Sequence, residues 1–299
     1  MDIVGQNYRE RELVEAHEAK PQRIVIGTEN GHGLAEWLVL RDKPYMSGQF
    51  LWVGFDYLGE ALWPEISRNN GLFDRTGSWT QLSFQRQGWW SDKPVVHIVR
   101  KSDNAGVGKW VANWTPVDFG TYDEADIEVY SNCDEVELFL NDKSLGVKPK
   151  PANDAPRSWN VTFEKGTLKA VAKNAGKIVA TDELKTAGAP AKVLLTVDKP
   201  GITKNWDDVS YVTATVVDGN GVICPNIDKL IAFGVSESGS VIAVDNGDVT
   251  SHDSYRGLER RTYNGQCIAI IRAKSASGSI TITATSLELE AGKVTIDIK

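Results

Sequence analysis

No apolar run in the sequence approaches the roughly 18–20 residues that carry a helix across a bilayer, so no membrane span is expected. Met1-Asp2-Ile3-Val4-Gly5-Gln6-Asn7 has neither the basic nor the apolar stretch of a signal peptide; if the protein is exported, the signal lies upstream. A basic surplus is missing as well. The net charge of −7 argues against a nucleic-acid partner, which requires clustered Lys and Arg. Cysteine is scarce: Cys133, Cys224 and Cys267 are widely spaced and odd in number, and form neither a disulfide framework nor a metal-ligand pattern. Isolated buried thiols are the expectation, and Cys224 with Cys267 is the pair that an oxidising compartment would join.

What remains is ordinary for a soluble globular chain, with 41% hydrophobic and 24% charged residues. A length of 299 residues leads to an expectation of roughly two or three domains. Tryptophan marks the first change of character. Eight of the ten, Trp37 to Trp114, fall in the first 114 residues, followed only by Trp159 and Trp206. Large flat side chains with a polar edge suit the apolar C–H faces of sugars, and they suit a protein core equally well.

From about residue 118 the pattern is all-β. Ile127 to Tyr130 and Val136 to Leu140 alternate apolar and polar residues, Asn141-Asp142-Lys143-Ser144 reads as a turn, and Ser144 to Val147 resumes a strand. Trp159 to Phe163 and Thr167 to Ala172 follow, so residues 98–187 read as a β-sandwich. After the linker-like Thr186-Ala187-Gly188-Ala189-Pro190, the strands Val193 to Val197, Val212 to Val217 and Ile280 to Ala284 place a second, immunoglobulin-like sandwich over 188–299. Asp218-Gly219-Asn220-Gly221 reads as a hairpin turn between two of its strands.

Residues 1–97 have a different texture. Arg9 to Lys20 reads as an amphipathic helix ended by Pro21. Arg23 to Gly27 is a short continuous apolar strand of the kind buried on both faces of a parallel sheet. A helical stretch from Leu34 to Leu40 leads into a second such strand, Gly48 to Val53, completing a βαβ unit. An eight-stranded (β/α)8 barrel typically needs about 250 residues, so two clear strands make only its end. The fold class expected is multidomain α/β plus all-β: a partial (β/α)8 barrel end followed by two immunoglobulin-like β-sandwiches.

Two groups of residues suggest chemistry. Glu29, in Ile26-Gly27-Thr28-Glu29-Asn30-Gly31-His32, sits directly after an apolar strand, where the catalytic groups of parallel barrels project. Taken alone, the motif is weak, and a helix-capping or structural Glu is the better reading. The second group is Ser47-Gly48-Gln49-Phe50-Leu51-Trp52-Val53-Gly54-Phe55-Asp56-Tyr57-Leu58-Gly59-Glu60. Trp52 would end a strand at the barrel mouth, with Asp56 and Glu60 in the loop beyond. An aromatic ring beside carboxylates suits a sugar, whose ring stacks while its hydroxyls donate charge-assisted hydrogen bonds. The alternative is a core Trp with solvated acids.

The Gly48 to Glu60 segment, together with Gly71-Leu72-Phe73-Asp74 and Gln87-Gly88-Trp89-Trp90, closely resembles the end of the catalytic barrel in family 2 glycoside hydrolases. The similarity is greatest to bacterial β-galactosidases with extra C-terminal sandwiches. It is specific over about residues 5–97 and looser through both sandwiches. The resemblance implies hydrolysis of terminal β-galactosides with retention of configuration. Glu29 would be the nucleophile and Tyr8, in Gly5-Gln6-Asn7-Tyr8, the tyrosine that hydrogen-bonds it. His32 would be a sugar-contacting histidine in some members, Trp52 the floor of the sugar subsite, and Asp56 a ligand for a hydroxyl. The implied partner is an oligosaccharide, with no organic cofactor. Some relatives bind Mg²⁺ or Na⁺, whose ligands cannot be traced in these residues. A periplasmic or secreted location is implied too.

One departure stands out. Retaining glycosidases use two carboxyl groups about 5–5.5 Å apart, a nucleophile and an acid/base. In the family the acid/base Glu follows an Asn on an earlier strand, and this sequence contains no Asn-Glu. The expectation is therefore a C-terminal part that carries the nucleophile and lacks its acid/base, whose natural partner is the N-terminal part of the same polypeptide. A β-glucuronidase or β-mannosidase of the same family, or a non-catalytic carbohydrate-binding or structural module, are the alternatives.

Overall fold

The computed structural model describes residues 3–103 and 110–299. Its first unit is a three-stranded parallel sheet of β1 (Ile3–Asn7), β2 (Ile24–Asn30) and β3 (Met46–Leu51), with β2 in the middle. Two helices connect the strands, α1 (Glu10–Ala19) and α2 (Leu34–Asp42). The acidic residues Glu10 and Glu12 lie in the first turn of α1, where the helix dipole favours them. Exposed pairs Arg9–Glu12 and Arg11–Glu15 line its outer face.

Both helices cover the same face of the sheet. Leu13, Val25 and Met46 form a small core there with Val4, Val14, Val39, Leu40 and Tyr45 packed around it. The other face is bare: Ile3 is 56% exposed, Ile24 48% and Phe50 62%. The strands are thus apolar on both faces but buried on only one. The uncovered face is the side that would line a barrel interior, and three strands cannot curl far enough to enclose it. The sequence suggested two strands here; β1 is the third, and its Gly5, Gln6 and Asn7 hid it from an apolar-run criterion.

Past β3 the chain makes a two-stranded ribbon of β4 (Tyr57–Leu58) and β5 (Ser67–Arg68), then helix α3 (Gln81–Trp90). The α3 helix lies against the second unit, with Gly88 facing the main chain at Tyr130 and Ser131. Trp37 of α2 stacks on Trp89 with ring centroids 5.4 Å apart and donates through Nε1 to Asp154 at 3.1 Å. Arg41 reaches the same carboxylate at 2.9 Å.

The second unit begins at Val96, two residues before the boundary expected from sequence. Its first sheet is ordered Arg157–Thr162, Glu124–Ser131, Val96–Lys101, Trp110–Val111; its second is Lys143–Pro149, Glu135–Leu140, Thr167–Asn174, Lys177–Lys185. Alternating residues such as Ile127, Val129, Val136 and Leu138 meet between the sheets, with Trp114 and Trp159 in the same core. The third unit is a sandwich of four and five strands with its own core around Val212, Ile231, Phe233, Ile271 and Ile280. Asp218 caps the turn at Gly219–Gly221, accepting the N–H groups of Asn220 and Val222. After that turn only Val217 and Ile223 pair, and the chain crosses to the other sheet, so no full hairpin forms.

All three cysteines are free and buried. Burial pushes the Cys224 thiol up to about 11 and that of Cys267 to about 12, which makes both poor nucleophiles. Among the described residues no helix is long and apolar enough to cross a membrane.

A buried ionic cluster locks the first unit to the third. Asp245 accepts Arg75 at 3.1 Å and Arg260 at 3.4 Å. Arg75 also donates to the Asp248 carbonyl, and the Ile66 N–H to that of Val249. Asp245→Ala would leave two guanidinium groups buried without their carboxylate. Such a loss costs about 3–5 kcal/mol, readable in urea unfolding. A loss below about 1 kcal/mol would mean that the cluster does not hold the units together.

Candidate active site

Because β1, β2 and β3 are parallel, their C-terminal ends share one edge, and Tyr8, Glu29 and Trp52 all lie along it. Two main-chain hydrogen bonds fix them: Tyr8 N–H to the Glu29 carbonyl at 2.7 Å, and Trp52 N–H to the Asn30 carbonyl at 2.9 Å. Glu29 belongs to β2 itself, which runs to Asn30 rather than stopping at Gly27. Between Gln6 and Asn7 the register with β2 slips, Gln6 opposing Gly27 and Asn7 opposing Glu29. A bulge of this kind re-aims the side chains after it, a device common beside active sites.

The slip puts Asn7 next to Glu29. Its Nδ2 donates to Glu29 Oε2 at 3.2 Å, while its Oδ1 accepts Thr28 Oγ1 at 2.8 Å, which fixes the amide's orientation. Tyr8 adopts φ of 52°, a left-handed backbone that an aromatic residue rarely takes. Its phenol is pushed up to about 12, by desolvation first and then by hydrogen bonding and charge from Glu29. A phenol raised in this way stays protonated across the whole neutral range.

Trp52 meets Tyr57 edge-on, with centroids 5.9 Å apart. Tyr57 donates to Glu60 at 2.5 Å, and that hydrogen bond is the leading cause of its raised pKa. Arg68, opposite Tyr57 in the ribbon, exerts its charge on both Tyr57 and Tyr8. His32 lies half-buried against the main chain of Trp52, Val53 and Asn70, and neither ring nitrogen makes a hydrogen bond of good geometry. Burial, and then the charge of Arg86, pull its pKa down, so it is neutral at neutral pH. Arg86 is itself buried, with Nε and Nη2 unpartnered and its guanidinium over the Trp89 ring at 5.0 Å.

Asp56 has a different setting. Its carboxylate accepts the Gly71 N–H at 2.8 Å, and the neighbours that act on it are Asp74 and Arg75. Gly71 is required there, since a Cβ would come within 2.5 Å of the Asp56 nitrogen. Tyr8, Glu29 and Trp52 are thus brought to one edge with His32 behind Trp52, while Asp56 fastens the loop at 71–75. Asn7, Tyr57 and Arg68 join the Glu29 surroundings without having been singled out from sequence. Arg68 is 39 positions from Glu29, and only the β4–β5 ribbon brings it back; Asn7 was adjacent to Tyr8 and could have been read with it. Among the described residues no group of three or more His, Cys, Asp or Glu side chains could hold a metal ion.

The sequence and fold can be compared with those of known proteins. Residues 193–295 match the glycoside hydrolase family 2 C-terminal domain 5 family, and residues 123–180 match a domain family of unknown function, DUF4982. The beta-galactosidase BoGH2A of Bacteroides ovatus is 37% identical over 254 residues, covering 83% of this chain and 28% of that protein. A beta-glucuronidase of Formosa agariphila is 29% identical over 204 residues, covering 67% of this chain and 19% of the relative. The chain therefore spans less than a third of the length of these relatives. Among solved structures, a glycosyl hydrolase family 2 member from Bacteroides cellulosilyticus superposes with a TM-score of 0.91 at 29% identity, covering all of this chain and 42% of the other. A beta-glycosidase from Bacteroides vulgatus gives 0.88 at 26% identity, covering 99% and 45%.

The Asp56 setting makes a pH-dependent prediction. Burial raises this carboxyl to about 6 from an ordinary 3.8, Asp74 adding to the effect and the Gly71 N–H and Arg75 opposing it. Between about pH 4 and 6 the folded chain binds more protons here than the unfolded chain, so this group's contribution to stability falls as pH rises through that window. Asp56→Asn keeps an acceptor for Gly71 and removes the titration. Relative to the parent, the variant should gain on the order of 1–2 kcal/mol between pH 4 and pH 7 in urea unfolding. A difference that is flat with pH would rule out a buried, titrating Asp56.

Proposed function

As the chain belongs to glycoside hydrolase family 2, matching the C-terminal part of much longer relatives, we propose that it carries the nucleophile half of a retaining β-galactosidase. The observation that carries this reading is the Glu29 carboxylate, held at the C-terminal end of a parallel strand by the Asn7 amide while the Tyr8 main chain pairs with its backbone. In this account Glu29 attacks the anomeric carbon of a terminal β-galactoside, forming a glycosyl-enzyme ester as the leaving oxygen departs. Asn7 donates to the carboxylate with the Tyr8 phenol beside it, which fixes the lone pair that attacks. Trp52 offers its face to the sugar ring, and His32, neutral behind it, supports that wall. Water then hydrolyses the ester, releasing galactose with its configuration retained.

The acid that protonates the leaving oxygen, and the strands that cover the bare face of β1–β3, come in this account from a segment preceding residue 1 or from a second polypeptide. The exposed Ile3, Ile24 and Phe50 support this, because a finished barrel would bury them. A β-glucuronide is the second substrate class to consider: the positive charge of Arg68 beside Tyr8 and Tyr57 is one that a uronate would use, and a beta-glucuronidase is among the relatives. The sandwich tryptophans give less support to reading the sandwiches as the functional module: Trp159 is buried, while Trp206 is exposed.

The test is kinetic. The 299-residue chain alone should hydrolyse lactose at no more than a trace rate, since general acid catalysis alone contributes about 10²- to 10⁴-fold. Joined to an upstream segment that completes the barrel, it should cleave aryl β-galactosides faster than aryl β-glucuronides. Glu29→Gln in that protein should lower kcat by on the order of 10⁴-fold or more, the scale expected on removing a covalent nucleophile. Ordinary turnover of lactose by the isolated chain would mean that a carboxylate within it, such as Glu60, acts as the acid. A preference for glucuronides would favour the second substrate class.

A further inference from the structure

We propose that the cleft where the three units meet is a second carbohydrate-binding site, one that takes a neutral oligosaccharide away from the Glu29 edge. The cavity measures about 450 Å³. Small-molecule sites run from about 300 to 1,000 Å³, so there is room for a short sugar chain. One wall is the segment from Asn69 to Phe84, a second is Trp110 to Asn113, and the third is the sandwich face of Thr213 and Gln266–Ile268 with the turn at Tyr263–Asn264. None of Tyr8, Glu29, His32 or Trp52 lines it.

Three features define the ligand. The first is a fixed aromatic platform. Trp79 stacks on Phe84 with centroids 5.7 Å apart and meets Phe73 edge-on at 5.5 Å, yet stays 47% exposed. Its indole is held without being covered, which suits the apolar C–H face of a pyranose. The second is a set of amides, Asn69, Gln81, Asn264 and Gln266; Gln81 Oε1 already accepts the Tyr130 hydroxyl and Gln266 Nε2 donates to Thr215, which fixes these two, and the remaining donor and acceptor sites suit hydroxyl groups.

The third feature is charge. Among the described residues no Lys, Arg or His lines the cleft, whereas two carboxylates, Asp56 and Asp74, do. Uronates, phosphates and nucleotides would meet these two carboxylates, the Arg75 charge felt at Asp56 being shared with its ion pair to Asp245, and are disfavoured. Neutral hydroxyls, in contrast, donate well to a carboxylate. Asp74 already accepts the N–H groups of Thr76 and Ser78 and the Thr76 hydroxyl on Oδ1, so it is fixed in place. The two acids are not part of any group able to hold a metal ion among the described residues. A site of this kind would keep a chain near the enzyme between cleavage events by raising its effective concentration.

The test uses the full 299-residue chain, monitored by tryptophan fluorescence and saturation-transfer NMR. The probes are cellotetraose and β-1,4-galactotetraose as neutral ligands, with tetragalacturonate and spermine as charged controls. At least one neutral tetrasaccharide should bind. Trp79→Ala should weaken that binding about tenfold or more, the scale of losing one stacked ring, and Trp79→Phe should restore most of it. Gln266→Ala, on the opposite wall, should weaken binding with the fold intact, as judged by an unchanged thermal midpoint. Trp52→Ala should leave it unaltered. The proposal is overturned if neither neutral tetrasaccharide binds, if binding is lost with Trp52→Ala and kept with Trp79→Ala, or if tetragalacturonate or spermine binds as well as the neutral chains. None of these results bears on Glu29, whose role is tested by turnover.

Discussion

Two main-chain hydrogen bonds determine what the Glu29 edge can do: Tyr8 N–H to the Glu29 carbonyl and Trp52 N–H to the Asn30 carbonyl. They continue the parallel ladder one step past the ends of β1 and β3 and so bring three side chains, far apart in sequence, to one rim. Main-chain bonds of this kind are obligatory once the strands pair, because a buried N–H without a partner is costly. The left-handed backbone at Tyr8 and the register slip at Asn7 are local departures from ideal geometry at this rim. They put the Asn7 amide, rather than a hydrophobic side chain, against the carboxylate.

The two faces of the β1–β3 sheet are treated differently. Helices α1 and α2 seal one with Leu13, Val25 and Met46, while Ile3, Ile24 and Phe50 on the other stay exposed among the described residues. A sheet with one bare apolar face is not stable alone; here it is supported by the units that follow it. Trp37, Arg41 and Trp89, all bonded to Asp154, tie it to the second unit, while the Asp245 cluster ties it to the third. The sandwiches therefore act as a scaffold for an incomplete catalytic rim, and their junction with it creates the acid-lined cleft.

Much of this was legible in the sequence, unevenly and for physical reasons. The alternation in Ile127–Tyr130, Val136–Leu140 and Ile280–Ala284 identified strands because each pleat has one dry face. The βαβ pattern and the motif around Trp52 gave the partial barrel and its rim, and Glu29, Tyr8 and Trp52 do share an edge. Strand β1 was hidden because Gly5, Gln6 and Asn7 carry no apolar signal; parallel pairing to β2, not composition, makes them a strand. Helix α3 escaped because Gln81 to Trp90 has little amphipathic contrast, its tryptophans docking on neighbouring units. Asp56 looked like a sugar ligand from its place in the motif, but its hydrogen bond to Gly71, fifteen residues on, turns it to the loop. Contacts of that range have no local signature. Neither did Arg68, which only the β4–β5 ribbon returns to Tyr57.

The central claim, that Glu29 is the nucleophile, is most directly tested by trapping it. A 2-deoxy-2-fluoro-β-galactoside with a dinitrophenolate leaving group needs little acid assistance, and its fluorine slows hydrolysis of the glycosyl ester. Mixed with the barrel-complete protein, it should release one equivalent of dinitrophenolate and add one fluorogalactosyl group, which peptide mass spectrometry should locate on Glu29. A label on Glu60, Asp56 or any other carboxylate, or steady turnover with Glu29 never modified, would contradict the assignment.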